Sequence, residues 1–282
     1  MFAAPEADPN TGTVAVGIDD AGIVSGYFQD VRGIQHGFVR FVNEQVVTID
    51  VPGGPFPDFR HTGFVAVNGD GTGIGYYVDY QYIYSGFART PGGAIILINV
   101  PGSTQSFPKA INSKGEIVGL FVDGNGQIHA FLRSRRGIFS SFDAPSGSSF
   151  YWYSSIGIDD DGDVATSYYD AQGKFHGYQR SRRGRVTLID VPGARDTIPI
   201  GVSETGVVAG EFIDASYNIH GFTWSKRHNF TLFDFPGAPS PFGAVIAVGD
   251  EGVIIGTYEK LYAPVQGFAR YPKQTERDDA DD

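Results

Sequence analysis

The sequence predicts an all-β fold, a six-bladed β-propeller of four-stranded blades. Three observations predict it. A unit of about 46 residues recurs six times and fills the 282-residue chain. Gly makes up 39 residues, about twice the usual ~7%, and Tyr and Phe add 15 and 22 more. The last copy lacks its final strand, and the N-terminus carries a segment that resembles it.

The anchor of the repeat is a small residue followed by an aromatic, usually preceded by His. It occurs as His36-Gly37-Phe38, Ser85-Gly86-Phe87, His129-Ala130-Phe131, His176-Gly177-Tyr178, His220-Gly221-Phe222 and Gln266-Gly267-Phe268. The steps are 49, 44, 47, 44 and 46 residues. Such a fixed period marks a repeat architecture. A polar turn ending in Gly precedes each anchor: IDDAG, VNGDG, INSKG, IDDDG, VSETG and VGDEG. Next comes a strand closing on an aromatic and usually Asp: YFQD, YYVD, LFVD, SYYD and EFID, with TYEK in the sixth copy. After five of the anchors another strand runs into a stop containing Pro: IDVPG, INVPG, FDAPS, IDVPG and FDFPG.

Each unit therefore reads as strands A to D. In the third copy, A ends near Ile111, B covers Glu116–Val122, C covers Gln127–Arg133 and D covers Ile138–Phe142. Gly in the connecting hairpins supplies the positive φ that tight turns need. Strand B is apolar on both faces, which suits a small sheet pressed between neighbours that bury what it cannot bury alone. The sixth copy stops after strand C near Tyr271. Phe2-Ala3-Ala4-Pro5 matches Phe142-Asp143-Ala144-Pro145 at three of four positions. Met1–Pro5 is therefore expected to supply the outer strand of the last blade, closing the ring and covering a free edge. The propeller spans residues 1–274, and the acidic segment 275–282 is expected to be a disordered tail.

Composition narrows the function. The net charge is −11, so a general nucleic-acid role, which needs a basic footprint, is excluded. There is no Cys, hence no disulfide, thiol nucleophile or thiolate metal site. No apolar run is long enough to cross a bilayer, so no membrane insertion is expected. Met1–Asn10 lacks the basic and apolar regions of a signal peptide.

The chain resembles bacterial extracellular HAF-repeat proteins. The motif stands literally as His129-Ala130-Phe131, as His-Gly-Phe or His-Gly-Tyr in three other copies, and is flanked by Asn112-Ser113-Lys114-Gly115-Glu116-Ile117-Val118-Gly119. The resemblance covers nearly the whole chain. It implies an extracellular or cell-surface setting, with the signal peptide absent from this chain, and says almost nothing about activity. Ser85 and Gln266 replace the motif His in two copies.

The recurring polar residues read as architecture. One position repeated around a ring cannot converge on a metal, so His36, His129, His176 and His220 are expected to bond across the B–C hairpin to Asp30, Asp123, Asp170 and Asp214. The Asp159–Asp163 run lacks the length and terminal Glu of an EF-hand. Turn chemistry is preferred there over calcium, and no cofactor is expected. Arg133–Arg136 and Arg180–Arg183 read as a solvated rim, with a polyanion contact as the lesser reading.

Function is expected where the copies differ, on the D–A links and B–C hairpins that gather at one mouth of the channel. The first link carries Asp58, Arg60 and His61, the second Gln105, Phe107 and Lys109. The third carries Phe150, Tyr151, Trp152 and Tyr153, and the fourth Arg195 and Asp196. Tyr80, Tyr82 and Tyr84 stand on the second B–C hairpin. Such rings suit a carbohydrate or small organic ligand, with Lys109, Tyr82, Tyr151, Trp152, Tyr153 and Arg195 as contacts. The alternative is a polysaccharide hydrolase or lyase. Asp58 and Asp196 would be its paired carboxylates, or His61 its base with Arg60 neutralising a uronate. No nucleophile elbow, Walker loop, dinucleotide fingerprint or zinc helix is present. A scaffold in surface assembly is the third reading. The chain is expected to be monomeric.

Overall fold

The computed structural model describes residues 4–19, 21–51, 61–79, 81–145, 147–152, 154–203, 205–227, 229–235, 243–249, 252–258 and 266–271. Their strands form six antiparallel sheets, each built from consecutive strands, the first five four-stranded and the sixth three-stranded. Blade 1 holds β1 (Thr13–Ile18), β2 (Val24–Gln29), β3 (Gln35–Arg40) and β4 (Val46–Ile49). Blade 2 holds β5 (His61–Val67), β6 (Gly73–Val78), β7 (Tyr84–Arg89) and β8 (Ile95–Ile98). Blade 3 holds β9 (Ser103–Ile111), β10 (Ile117–Asp123), β11 (Ile128–Arg133) and β12 (Phe139–Phe142). Blade 4 holds β13 (Ile156–Ile158), β14 (Val164–Tyr169), β15 (Phe175–Arg180) and β16 (Val186–Leu188). Blade 5 holds β17 (Asp196–Val202), β18 (Val208–Ile213), β19 (Ile219–Ser225) and β20 (Asn229–Phe233). Blade 6 holds β21 (Gly243–Val248), β22 (Ile254–Tyr258) and β23 (Gln266–Arg270).

The first strand of each blade is innermost. Ile18, Val67, Ile111, Ile158, Val202 and Val248 are the same register position in six copies, and all six line one central cavity of about 730 Å³. A branched apolar residue from every blade thus encircles the axis at the end where the A–B turns lie. Each of those turns, where described, is tied by its first residue: Asp19, Asn68, Asn112, Asp159 and Ser203 accept the N–H four positions on. The Asp159 carboxylate of the IDDDG turn is therefore engaged in turn chemistry, while Asp160 accepts from Ser113 and Asp163 from Arg182 and Lys226.

Blades pack through strand B and the anchor aromatic. Ile117, Val118 and Leu120 of β10 are buried, as are Phe38, Phe87, Phe131, Tyr178 and Phe222. The small residue beside the aromatic has a steric reason. A Cβ at Gly86 would lie 2.6 Å from the Pro108 ring of the next blade, and one at Gly177 would lie 2.8 Å from Pro199.

The residues expected to complete blade 6, 1–3, lie outside the described residues, as does the tail 275–282. Ala4, however, shows how the chain enters blade 1. It is 3% exposed and packs on Phe28 and Phe38, as Val51, which follows strand D of blade 1, packs with Phe64 and Phe87 of blade 2. Its N–H donates to Thr13 Oγ1 at 2.9 Å. The N–H groups of Val51 and Val191 make the same bond to Thr62 and Thr197. Ala4 therefore occupies the position that strand D leads into in the other blades. Among the described residues no helix is long and apolar enough to cross a membrane.

Candidate functional site

The motif histidines are held between two carboxylates. His176 Nε2 lies 3.0 Å from Asp170 and Nδ1 2.8 Å from Asp190. His220 sits between Asp214 at 3.3 Å and Asp234 at 2.6 Å, His129 between Asp123 at 3.5 Å and Asp143 at 2.5 Å, and His36 between Asp30 at 3.6 Å and Asp50 at 2.8 Å. Each ring also stacks on the strand B aromatic, Phe28, Phe121, Tyr168 or Phe212, at centroid distances of 4.8–5.2 Å. The carboxylate across the B–C hairpin was expected; the one from strand D was not. Its signal was in the sequence. Where Ser85 replaces His, the strand D partner is Asn99. Where Gln266 replaces it, the two partner positions hold Lys260 and Ala3. The strand D carboxylate is lost with the histidine while Asp79 stays beside Ser85; without an imidazole between them a carboxylate pair would repel.

The electrostatics follow. The Asp143 hydrogen bond raises the His129 pKa. At His176 burial opposes charge, but the bonds to Asp190 and Asp170 outweigh it and the pKa rises. Burial works against ionised Asp30, yet the Ile34 and Arg32 donors hold it down at about 2. The Asn218 side chain and backbone hold Asp214 at about 2. These clamps are consumed by architecture and leave no histidine of the motif free for chemistry.

The mouth of the channel, at the opposite end from the A–B turns, is different. Counting seven residues back from the first residue of each A–B turn gives one register position. In five copies it holds Gly12, His61, Gln105, Asp196 and Phe242; in blade 4 the link is longer and Ser149, paired with Tyr169, stands there, so all six residue types differ. This comparison locates the site, and the anchor motif alone does not reveal it. Three of these side chains accept the N–H that opens strand C of the preceding blade. His61 Nδ1 takes it from Gln35 at 3.1 Å, Gln105 Oε1 from Tyr84 at 3.4 Å, and Asp196 Oδ1 from Phe175 at 2.9 Å. His61 is thereby the tautomer with its proton on Nε2. Trp152 lies three residues beyond Ser149, in the link that enters β13.

Around Trp152 the rings are continuous. Tyr84 lies 5.5 Å from Tyr76, 4.8 Å from Phe107 and 6.2 Å from Trp152, and Phe107 packs against Trp152. The cluster bridges blades 2, 3 and 4. Tyr151 is 47% exposed and meets Phe175 edge-on. Lys109 lies on β9 at a β-bulge between Pro108 and Ala110, where β1, β5, β17 and β21 have Val16, Val65, Ile200 and Ile246. Burial lowers its pKa. Asp196 is buried and bonded to Arg195 Nε at 3.1 Å. His61 and Asp196 stand in blades 2 and 5, half a ring apart, so the structure does not bring them together. Asp58, Arg60 and Tyr153 lie outside the described residues. At the seam of blades 5 and 6, burial pushes Glu211 up to about 7 although it accepts the Val245 N–H at 2.6 Å.

Two further tyrosines mark the mouth by strain. The left-handed corner of the B–C hairpin is Gly33, Gly126 and Gly173 in blades 1, 3 and 4, but Tyr82 (φ 60°) in blade 2 and Tyr217 (φ 66°) in blade 5. They are 75% and 67% exposed, so burial does not offset the strain. The Arg195 guanidinium lies 4.3 Å over the Tyr217 ring. A bulky L-residue in this conformation costs about 1–2 kcal/mol. Tyr217→Gly and Tyr82→Gly are each expected to raise the melting temperature, by roughly 2–4 °C. Differential scanning calorimetry tests this, and a lower melting temperature in both variants would contradict it.

No protein-family model matches the chain, and no curated protein matches it in sequence. Solved structures do match in shape. A polysaccharide lyase, an ulvan lyase, superposes with a TM-score of 0.54 at 11% identity, over 91% of this chain and 79% of the lyase. TolB from Acinetobacter baumannii gives 0.51 at 12%, over 85% of this chain; the chain matches 62% of TolB's length. The Aleuria aurantia lectin bound to a fucosyl-GlcNAc disaccharide gives 0.50 at 14%, over 95% of this chain and 94% of the lectin. At such identities the likeness shows the fold alone. The chain is a six-bladed β-propeller.

Proposed function

We propose that this propeller works by binding, in an extracellular or surface setting, and holds a carbohydrate or small organic ligand at its channel mouth. The reading rests on Trp152. It lies in the link that enters the innermost strand of blade 4, and it joins Tyr84 and Phe107 in a ring cluster at the mouth. Aromatic faces take the apolar side of a sugar, while nearby polar groups orient its hydroxyls. His61 Nε2–H, Gln105 and Lys109 are the polar groups of the same sector.

The test is a glycan and polysaccharide panel scored for both affinity and released product. Trp152→Ala is expected to weaken binding at least tenfold, equivalent to about 1.4 kcal/mol, without released product in the parent protein. Product formation that disappears in His61→Ala would replace this reading with the hydrolase or lyase. Absence of both binding and turnover would leave the scaffold role. The resemblance to extracellular HAF-repeat proteins supports the setting.

A further inference from the structure

On the face opposite the mouth, the seam between blades 4 and 5 holds a cavity of about 610 Å³. Its walls are Gln179, Arg183, Arg185, Thr187, Trp224 and Lys226, with Ser181 at the hairpin. Two of these residues depart from the repeat. Gln179 follows the anchor aromatic, where the other copies have Val39, Ala88, Leu132, Thr223 and Ala269. Trp224 stands where the other five have Arg40, Arg89, Arg133, Arg180 and Arg270.

Trp224 has a partial structural explanation. Arg180 and Arg270 cover Phe142 and Phe233 of the preceding blade. In the preceding blade of Trp224 that residue is Ile189, with which it shares a core cluster. The indole thus restores lost apolar volume and also lines the cavity. Gln179 has no such explanation. It is 2% exposed, and its Oε1 has no hydrogen-bond partner. A buried, unpaired amide oxygen is costly, and Val39, Ala88, Leu132 and Ala269 in four sister copies show that packing does not require it. Its side chain lines this cavity and the adjoining one of about 480 Å³.

The charges point the same way. On a chain of net charge −11, Arg183, Arg185 and Lys226 converge on this cavity. Lys226 is held by Asp163 at 3.0 Å, whereas Arg183 and Arg185 make no ion pair among the described residues. In blade 1 their positions hold Asn43 and Gln45.

We propose that this seam is a second binding site, for a sugar residue bearing a carboxylate or sulfate. The guanidinium groups of Arg183 and Arg185 match the geometry of such an anion. The buried Gln179 amide turns towards the cavity to accept a sugar hydroxyl and so gains the partner its Oε1 lacks. The exposed edge of Trp224 meets the apolar face of the ring. The volume suits one or two sugar units. The site shares no residue with the mouth and does not depend on the function proposed for it.

The experiment uses the indoles, of which the chain has two. In a Trp152→Phe background Trp224 is the sole tryptophan, and the mouth loses its ring. Trigalacturonate or glucose 6-sulfate is expected to change Trp224 emission saturably at millimolar or lower concentration. Galactotriose, and sodium sulfate without sugar, are expected to leave it unchanged. Arg183→Asn with Arg185→Gln, the blade 1 residues, should weaken the response at least tenfold. Gln179→Leu should weaken it too, and raise the melting temperature. No saturable response to either anionic sugar overturns the proposal. So does an equal response to galactotriose or to sulfate alone, or a fall in melting temperature for Gln179→Leu.

Discussion

Deleting residues 1–5 lowers the melting temperature by roughly 10 °C. Ala4 is the only described residue of that segment that is nearly sealed from solvent, and its removal uncovers Phe28 and Phe38, both otherwise buried. It also frees Thr13 Oγ1 from the Ala4 N–H. Above all, it removes the residues that the repeat predicts as the fourth strand of blade 6, which has three strands among the described residues. A propeller opened at one seam exposes a sheet edge and both flanking faces. A loss of about 3–4 kcal/mol is a modest figure for that much apolar area, and at 2–4 °C per kcal/mol it gives the stated shift. Calorimetry on the truncated chain checks it. Ala4→Asp, which keeps the chain length and places a charge against Phe28 and Phe38, should fall by a similar amount. A truncated protein that melts like the parent would sink the closure of the ring by its N-terminus.

His176→Ala should lower stability by about 2 kcal/mol, through loss of two charge-assisted hydrogen bonds and a stacked ring, and the loss should depend on pH. The folded state raises the His176 pKa above its ordinary 6.5. The stabilisation this brings is complete below 6.5 and disappears as pH rises through the higher folded value. Hydrogen bonds from the Lys174 N–H and from His176 lower the Asp170 pKa below its ordinary 3.8. That part is complete above 3.8 and disappears as pH falls through the lower folded value. The gap in melting temperature between parent and variant is therefore widest near pH 4–6 and narrows towards pH 9. A gap that is constant from pH 5 to pH 9 would show that only the stacking matters. The same substitution at Ser85 or Gln266, where the clamp is absent, should show no such dependence.

Much of the fold was legible in the sequence. The third copy's strands, expected at Glu116–Val122, Gln127–Arg133 and Ile138–Phe142, form at Ile117–Asp123, Ile128–Arg133 and Phe139–Phe142. Polar turns ending in Gly, the anchor pair and a strict period are local signals, and six copies repeat each of them. The histidine clamp was half legible. Asp170 lies six residues from His176 across one hairpin, whereas Asp190 comes from the next strand and is seen only when substitutions between copies are compared.

The site was harder to read. Tyr76 and Tyr217 carried no signal in the sequence, and His61 was grouped with Asp196, which the structure sets in the opposite blade. The repeat itself explains the error. Equivalent residues in different blades are neighbours in an alignment and half a ring apart in space. The sequence by itself determined the number of blades, the strand order, the turn chemistry and which residues recur as architecture. Each of these depends on contacts within one unit or between identical units. Only the tertiary structure decided which unequal residues share a sector of the mouth, that Gln179 is buried without a partner, and that Arg183, Arg185 and Lys226 face one seam. Those relations run between different copies, and no local pattern encodes the distance across a closed ring.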